Sequence, residues 1–318
     1  MKYSRGRLLL VAALGMGAYL AALAVVDRAQ LLDAMRVLSP ATLLGVFGLS
    51  LCNYALRLLR WDLYLRAIGP AVPLGRQGLY YVAGFAFTVT PGKLGEAIRA
   101  LYLRPHGVSY AQTTAVLLVE RLLDLMVVAL LALLWLSRDR HGAWFAAGFF
   151  VAVAALAVLL SRPSTQERLR AAAARRSGRL ARGLEFLARS LGDAASLLTL
   201  PRLSFGLALG LLAWGAEGLG LYLLVQALGI PLGVAGSIGA YSLAVLAGAA
   251  SFIPGGLGGA EAAMSLLLTL AGASAAAALT ATVVCRLATL WFAVALGALA
   301  MLALELLGTR LPQQEAPV

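Results

Sequence analysis

Six charged residues lie within or beside runs that are otherwise apolar. Glu120, Arg121 and Asp124 share one run, Glu217 lies in a second, Arg286 in a third, and Glu261 stands at a glycine-rich break. Charge at membrane depth is costly, so such residues should face the protein interior and pair. Glu120 and Asp124 are four residues apart on one helix face, and Arg121 can reach Asp124 three residues on. Two chemistries suit the set: carboxylates that carry protons, and arginines that hold a phosphate-like anion. For Glu120 and Asp124 a purely structural role, clamping helices together, stands beside them. No metal chemistry is indicated, because Cys52, Cys285, His106 and His141 are far apart and give no ligand spacing. No phosphate-loop motif is present, so neither a nucleotide nor another cofactor is expected.

Two breaks carry further candidates. Leu79–Val89 runs into Thr90-Pro91-Gly92-Lys93-Leu94-Gly95-Glu96 and a second short apolar piece bearing Arg99. Ile238–Ile253 runs into Pro254-Gly255-Gly256-Leu257-Gly258-Gly259-Ala260-Glu261 and then Ala262–Leu270. Proline and glycine interrupt both helices at the same relative place. Broken backbone at membrane depth must be buried in protein or line a wet cavity. Both segments therefore read as re-entrant hairpins, over 79–103 and 238–270, although 234–253 is nearly long enough to cross alone. A helix restarting after a glycine-rich turn has unpaired N–H groups that attract anions. Lys93, Glu96 and Arg99 surround the first loop, and Arg286 is the nearest candidate cation for the second. Tight packing is the plainer reason for the glycines. Asn53, Arg57 and Arg60 share one face at the end of another span, where snorkelling to the interface and headgroup binding are equally open.

The elements that must position these residues follow from composition. The 318 residues are 61% hydrophobic and 13% charged, with a mean hydropathy of +0.88. A soluble domain is about 45–50% apolar and about 25% charged, so a soluble enzyme, a secreted disulfide scaffold and a disordered chain are excluded. Runs at 8–26, 41–59, 111–136, 142–160, 203–228 and 275–307 approach or exceed the roughly 20 residues a helix needs to cross a bilayer. The first reads as a retained span rather than a signal peptide. The expected fold is an all-α polytopic membrane protein with about six full crossings and two hairpins. Its segments are an N-terminal span at 1–40, halves at 41–160 and 203–307, a basic amphipathic linker at 161–202 and a polar tail at 308–318.

The halves match. Glu96 precedes Gly107 by 11 residues, as Glu261 precedes Gly272; each glycine opens a Gly-x-Ser, and Arg121-Leu122 and Arg286-Leu287 follow at equal distance. Ala67-Ile68-Gly69 and Ala227-Leu228-Gly229 match upstream. The net charge of +12 does not call for nucleic acid, because with the N-terminus inside 20 of the 26 basic residues fall on the cytoplasmic side. This topology puts both termini in the cytoplasm and makes the repeats inverted, a transporter signature with the site between the halves. Leu180, Leu184, Leu187 and Leu191 give the linker an apolar stripe suited to an anionic leaflet.

The Thr90–Glu96 and Pro254–Glu261 motifs, Val119-Glu120-Arg121-Leu122-Leu123-Asp124, Cys285-Arg286-Leu287 and Arg60-Trp61 together resemble the lysylphosphatidylglycerol synthase transmembrane (flippase-like) family, over about residues 8–307. The resemblance implies lipid translocation across a bacterial or archaeal inner membrane, with aminoacyl-phosphatidylglycerol, polyprenyl-phosphate-linked or hopanoid lipids as substrate classes. Two-domain members carry aminoacyl transfer in a soluble domain; only Gly308–Val318 follows the last span here, so a stand-alone membrane domain is expected. The resulting expectation is a non-enzymatic inner-membrane flippase working by alternating access. Its partners are lipids with anionic heads and, beyond them, a lipid-synthesising enzyme. The rival readings are a lipid-linked glycosyltransferase, for which Asp27 and Asp33 are the available loop acids, and a non-transporting partner in an envelope lipid pathway.

Overall fold

The computed structural model describes residues 36–136 and 140–308. The expected first span, Asp27, Asp33 and the residues from 309 onward lie outside them. Among the described residues the chain is helical and contains no strand.

Helix α1 (Pro40–Ile68) begins where Ser39 Oγ accepts the Thr42 N–H and a proline occupies the first turn. The first hairpin follows as α2 (Leu74–Phe85), a 3₁₀ stretch at Pro91–Ile98 and the short α3 (Arg99–Leu103). Next come α4 (Tyr110–Leu136), α5 (Arg140–Ser161), α6 (Pro163–Ala174), α7 (Gly178–Leu197) and α8 (Leu200–Ala227). The second hairpin is α9 (Val234–Ala250), a 3₁₀ turn at Pro254–Gly256 and α10 (Gly259–Leu270). The last helix, α11 (Ala275–Leu306), is 32 residues long and contains a π-helical turn at Leu287–Trp291.

By length and apolar character α1, α8 and α11 can each cross a bilayer; α5 and α6 make a fourth only if they are counted as one span bent by 54°. This is fewer than the six expected crossings. One of the six lies outside the described residues. Another, α4, is long enough at 27 residues but carries Glu120, Arg121 and Asp124 at its centre.

The matched halves occupy matched places. Gly107 and Gly272 both take positive φ, +83° and +97°, the left-handed region open to glycine. A Cβ on either would lie 3.5 Å from a proline, Pro70 or Pro231. Each leads into a serine cap, with Ser109 Oγ accepting from Gln112 N–H at 3.1 Å and Ser274 Oγ accepting from Ala277 N–H at 3.2 Å. Positions 160 apart in the sequence, the spacing of the Ala67-Ile68-Gly69 and Ala227-Leu228-Gly229 motifs, meet in space. Asn53 and Ala213 do so: Asn53 Nδ2 donates to Ala213 O at 2.9 Å across 160 residues. The next matched pair, Tyr54 and Trp214, reaches across in both directions. Tyr54 donates to Thr289 O at 2.6 Å, and Trp214 Nε1 donates to Asp124 Oδ1 at 3.1 Å. Thr289 stands three residues after Arg286, as Asp124 stands three after Arg121.

The halves interleave through glycines that let backbones touch. Helix α9 crosses α4 at Gly239, whose Cβ would lie 2.5 Å from Trp135 N. Helix α11 crosses the end of α2 at Gly297, where any Cβ would overlap the Ala86 backbone. On α8, Gly206 makes room for the Tyr64 hydroxyl and Gly210 for Arg60.

The linker forms two helices, α6 and α7. Ala188, Ser190, Ala194 and Leu197 are its buried row on α7, whereas Leu180 and Leu187 of the expected stripe are exposed. The buried row packs against α4, which leaves Leu180 and Leu187 on the free face of α7.

Candidate functional site

Seven charged side chains converge at the centre of the first half. Arg57 and Arg60 come from α1, Glu96 from the 3₁₀ stretch, Arg99 from the start of α3, and Glu120, Arg121 and Asp124 from α4. Left unpaired in hydrocarbon, each would cost about 2.5–3.5 kcal/mol on insertion scales. Together that is on the order of 20 kcal/mol, more than the whole stability of a typical protein. Pairing is therefore obligatory.

The pairs form a continuous network. Arg60 Nη2 meets Asp124 Oδ1 at 2.5 Å and lies 3.7 Å from Glu120. Arg57 Nη2 stands 3.5 Å from both Glu120 and Asp124. Arg99 joins Glu96 at 2.9 Å and Glu120 at 3.4 Å. Arg121 Nη2 lies 3.3 Å from Asp124, 3.4 Å from Glu120 and 3.7 Å from Glu96. Aromatic residues complete the enclosure. Tyr81 donates to Glu120 Oε1 at 2.7 Å, and the Arg99 guanidinium stacks 3.9 Å from the Tyr81 ring centre and 5.0 Å from that of Trp61. Gly84 opens the space for Arg99, because a Cβ there would lie 2.5 Å from its Nε.

Two features set this cluster apart from a set of clamps. First, four arginines face three carboxylates, an excess of one positive charge. Second, hydrogen-bond donors are in surplus: Arg57 Nε, Arg60 Nε and Nη1, and Arg121 Nε and Nη2 lack an aligned acceptor, against two acceptors, Asp124 Oδ2 and Asn53 Oδ1. Buried polar groups are ordinarily satisfied, and protein atoms alone do not supply acceptor oxygens for these donors. Arg121 is also its most open member, with 26% of its side chain exposed against 8% or less for the others.

The second half carries a smaller counterpart. Arg286 Nε donates to Glu261 Oε1 at 2.7 Å and its Nη2 to Gly255 O at 2.9 Å, tying α11 to the second loop. Glu217 on α8 accepts a short hydrogen bond from Tyr241 on α9. Pro254, Gly255 and Gly256 form the loop turn, with Gly255, Gly256 and Gly258 at positive φ. Gly259 begins α10, and its Cβ would lie 3.1 Å from the Ser251 side chain. The two loops meet: a Cβ on Gly255 would come within 3.3 Å of Val89 Cα, and Leu257 packs on Val89, Leu290 and Trp291.

Several sequence-based expectations are corrected. Arg57 and Arg60 are buried, so they do not snorkel; the carboxylates of α4 draw them inward. Asn53 is held by the α8 backbone rather than by an interface. The first loop offers no fresh α-helical N-terminus, because Pro91–Ile98 is 3₁₀ and Thr90 Oγ1 already accepts the Gly95 N–H at 2.7 Å. Pro91 and Gly92 open that 3₁₀ stretch, and the side chain of Lys93 lies outside the described residues. Tyr81 and Trp214 escaped the sequence reading, and Trp61 entered it only as the neighbour of Arg60, because aromatic residues within spans carry no signal that singles out their partners. The π-helical turn after Arg286 was equally invisible.

Known proteins resemble the chain over nearly its whole length. A family model described as the lysylphosphatidylglycerol synthase TM region matches residues 8–297. A relative named UPF0104 membrane protein, from Methanothermobacter thermautotrophicus strain Delta H, is 26% identical over 324 residues, covering 93% of this chain and 95% of its own length.

Proposed function

This chain belongs to the lysylphosphatidylglycerol synthase transmembrane family, a family of membrane proteins in lipid and envelope biology, and we propose that it is a flippase for an anionic, phosphate-bearing lipid. The observation that carries the reading is the buried donor surplus around Arg121. A phosphate ester brings several acceptor oxygens and negative charge, which answers both the unaligned N–H groups and the excess positive charge. Arg121, with its open flank, makes the first contact with the headgroup. Arg57 and Arg60 are the donors behind it, and Glu96, Glu120 and Asp124 hold the guanidiniums in place. The acyl or prenyl chains remain in lipid.

In this reading the halves are inverted repeats, and movement follows from that relation. Two broken helices that touch at their tips form a thin barrier, and rocking one half against the other transfers access from one face to the other. Arg286 holds the second loop through Glu261 and Gly255, so it sets the shape of that barrier rather than competing for the headgroup. The headgroup classes that fit are aminoacyl-phosphatidylglycerol and polyprenyl-phosphate lipids, in a cytoplasmic membrane with both termini inside.

The test is reconstitution into vesicles with a fluorescent phosphatidylglycerol, its outward transfer read by quenching from outside. Wild type should accelerate transfer over empty vesicles. Arg121→Gln, losing charge-assisted hydrogen bonds of roughly 1.5–3 kcal/mol each, should slow it at least tenfold while the protein remains folded. Phosphatidylcholine should move no faster than in empty vesicles. Transfer by Arg121→Gln at the wild-type rate, or no acceleration for phosphatidylglycerol, aminoacyl-phosphatidylglycerol or a polyprenyl phosphate, would refute the reading.

A further inference from the structure

A second basic site lies away from the central cluster. A cavity of about 700 Å³ opens between the end of the first hairpin, the first turn of α4 and the linker helices α6 and α7. Its walls carry Arg104, Arg170, Arg182 and Arg189 with a single carboxylate, Glu185. Glu185 is already engaged by Arg189 at 2.9 Å. Among the described residues no carboxylate lies within ion-pair distance of Arg104, Arg170 or Arg182. Arg104 instead rests against the Tyr110 ring, 5.7 Å from its centre. Three uncompensated guanidiniums from three separate elements thus face one concavity. Apart from Ser109 and Tyr110, the remaining wall is apolar, formed by Ala173, Ala181 and Phe186 among others.

We propose that this cavity binds the phosphate headgroup of a membrane lipid, at a site separate from the translocation cluster. Three guanidiniums match the charge and acceptor oxygens of a phosphate ester. The apolar wall suits the glycerol or first chain carbons beyond the phosphate, which a free inorganic ion does not possess. The same helix α7 leaves Leu180 and Leu187 57% and 47% exposed, a surface suited to the acyl boundary of a leaflet. The linker therefore docks on the leaflet by a specific headgroup contact as well as by its overall charge. A lipid held there ties α6 and α7 to the base of the first hairpin, so occupancy couples leaflet composition to the position of that hairpin. The site does not rest on the flippase reading, since a protein that moved no lipid would still bind here.

The experiment uses the full chain in nanodiscs of phosphatidylcholine containing a small fraction of phosphatidic acid with a photoreactive diazirine near its head. After photolysis, labelled peptides are mapped by mass spectrometry. Labelling should concentrate between residues 170 and 189. Arg104→Gln/Arg170→Gln/Arg182→Gln should reduce it at least ~tenfold, the loss expected for even one charge-assisted contact. The corresponding triple lysine variant should keep most of it, which separates loss of binding from loss of fold. An Arg121→Gln chain should label this segment like wild type, whatever it does to transfer. Equal labelling in the glutamine variant, or labelling confined to other segments, would overturn the proposal. Millimolar glycerol 3-phosphate should leave labelling largely intact. Its complete displacement of the lipid would assign the cavity to a soluble phosphate ester and overturn the lipid reading.

Discussion

Replacing Asp124 by asparagine should destabilise the protein far more than replacing Arg60 by glutamine, although the two are partners in the same 2.5 Å contact. The asymmetry comes from the charge count of the cluster. Removing Arg60 leaves three arginines facing three carboxylates, and Asp124 keeps Arg121 at 3.3 Å, Arg57 at 3.5 Å and the Trp214 N–H at 3.1 Å. Removing the Asp124 charge leaves four arginines facing two carboxylates, and its new amide points donors at guanidiniums that already lack acceptors. Breaking a buried pair so that a charge is stranded costs about 3–5 kcal/mol, which applies to Asp124→Asn. For Arg60→Gln the stranded group is still paired, and a loss of about 1–2 kcal/mol is expected. At ~2–4 °C per kcal/mol for a chain of this order of size, Asp124→Asn should lower the melting temperature by on the order of 10 °C and Arg60→Gln by ~2–8 °C. Tryptophan fluorescence melts of purified protein in nanodiscs measure both. The double variant restores the single positive excess and should fall short of the sum by about 1–3 kcal/mol. An Arg60→Gln melt as low as that of Asp124→Asn would refute the charge-excess account of the site.

Other expectations bear on the scaffold. Gly297→Ala should be strongly destabilising, by about 1–3 kcal/mol or more, because its Cβ overlaps the Ala86 backbone, whereas Gly215→Ala, with open space around it, should stay within about 1 kcal/mol of wild type; thermal melts compare the two. Tyr54→Phe removes the donor to Thr289 O in the π-helical turn and should cost about 0.5–1.5 kcal/mol, with faster amide exchange at Leu287–Trp291 as the specific signature. In a chain whose Cys52 and Cys285 have been replaced by alanine, Val89→Cys/Leu257→Cys should cross-link the two loop tips under oxidation. Vesicle transfer should then stop and recover on reduction, and undiminished transfer in the cross-linked protein would exclude relative movement of the tips.

Much of this organisation is legible along the chain. Apolar runs locate most helices because a span must be apolar over its length, and both breaks are marked because proline and glycine cannot continue a helix. The matched motifs share local geometry, since the glycine that turns the chain after each hairpin takes positive φ in both halves. For Arg57 and Arg60 the sequence left snorkelling and headgroup binding equally open, because hydropathy sees only that they stand near the end of an apolar run, not which carboxylates lie beside them.

Residue types and their order are enough to establish an all-helical membrane protein, two interrupted hairpins, and arginines and carboxylates that must find partners in a low-dielectric interior. Which partners they find is a matter of three-dimensional packing. Glycines 84, 206 and 210 let α1, α2 and α8 approach closely enough to enclose Arg60, Tyr64 and Arg99, and Asp124 receives Arg60 from α1 and Trp214 from α8. No spacing in one dimension encodes those distances. The surplus of arginine over carboxylate at one buried point, from which the function is argued, exists only once the helices have closed around it.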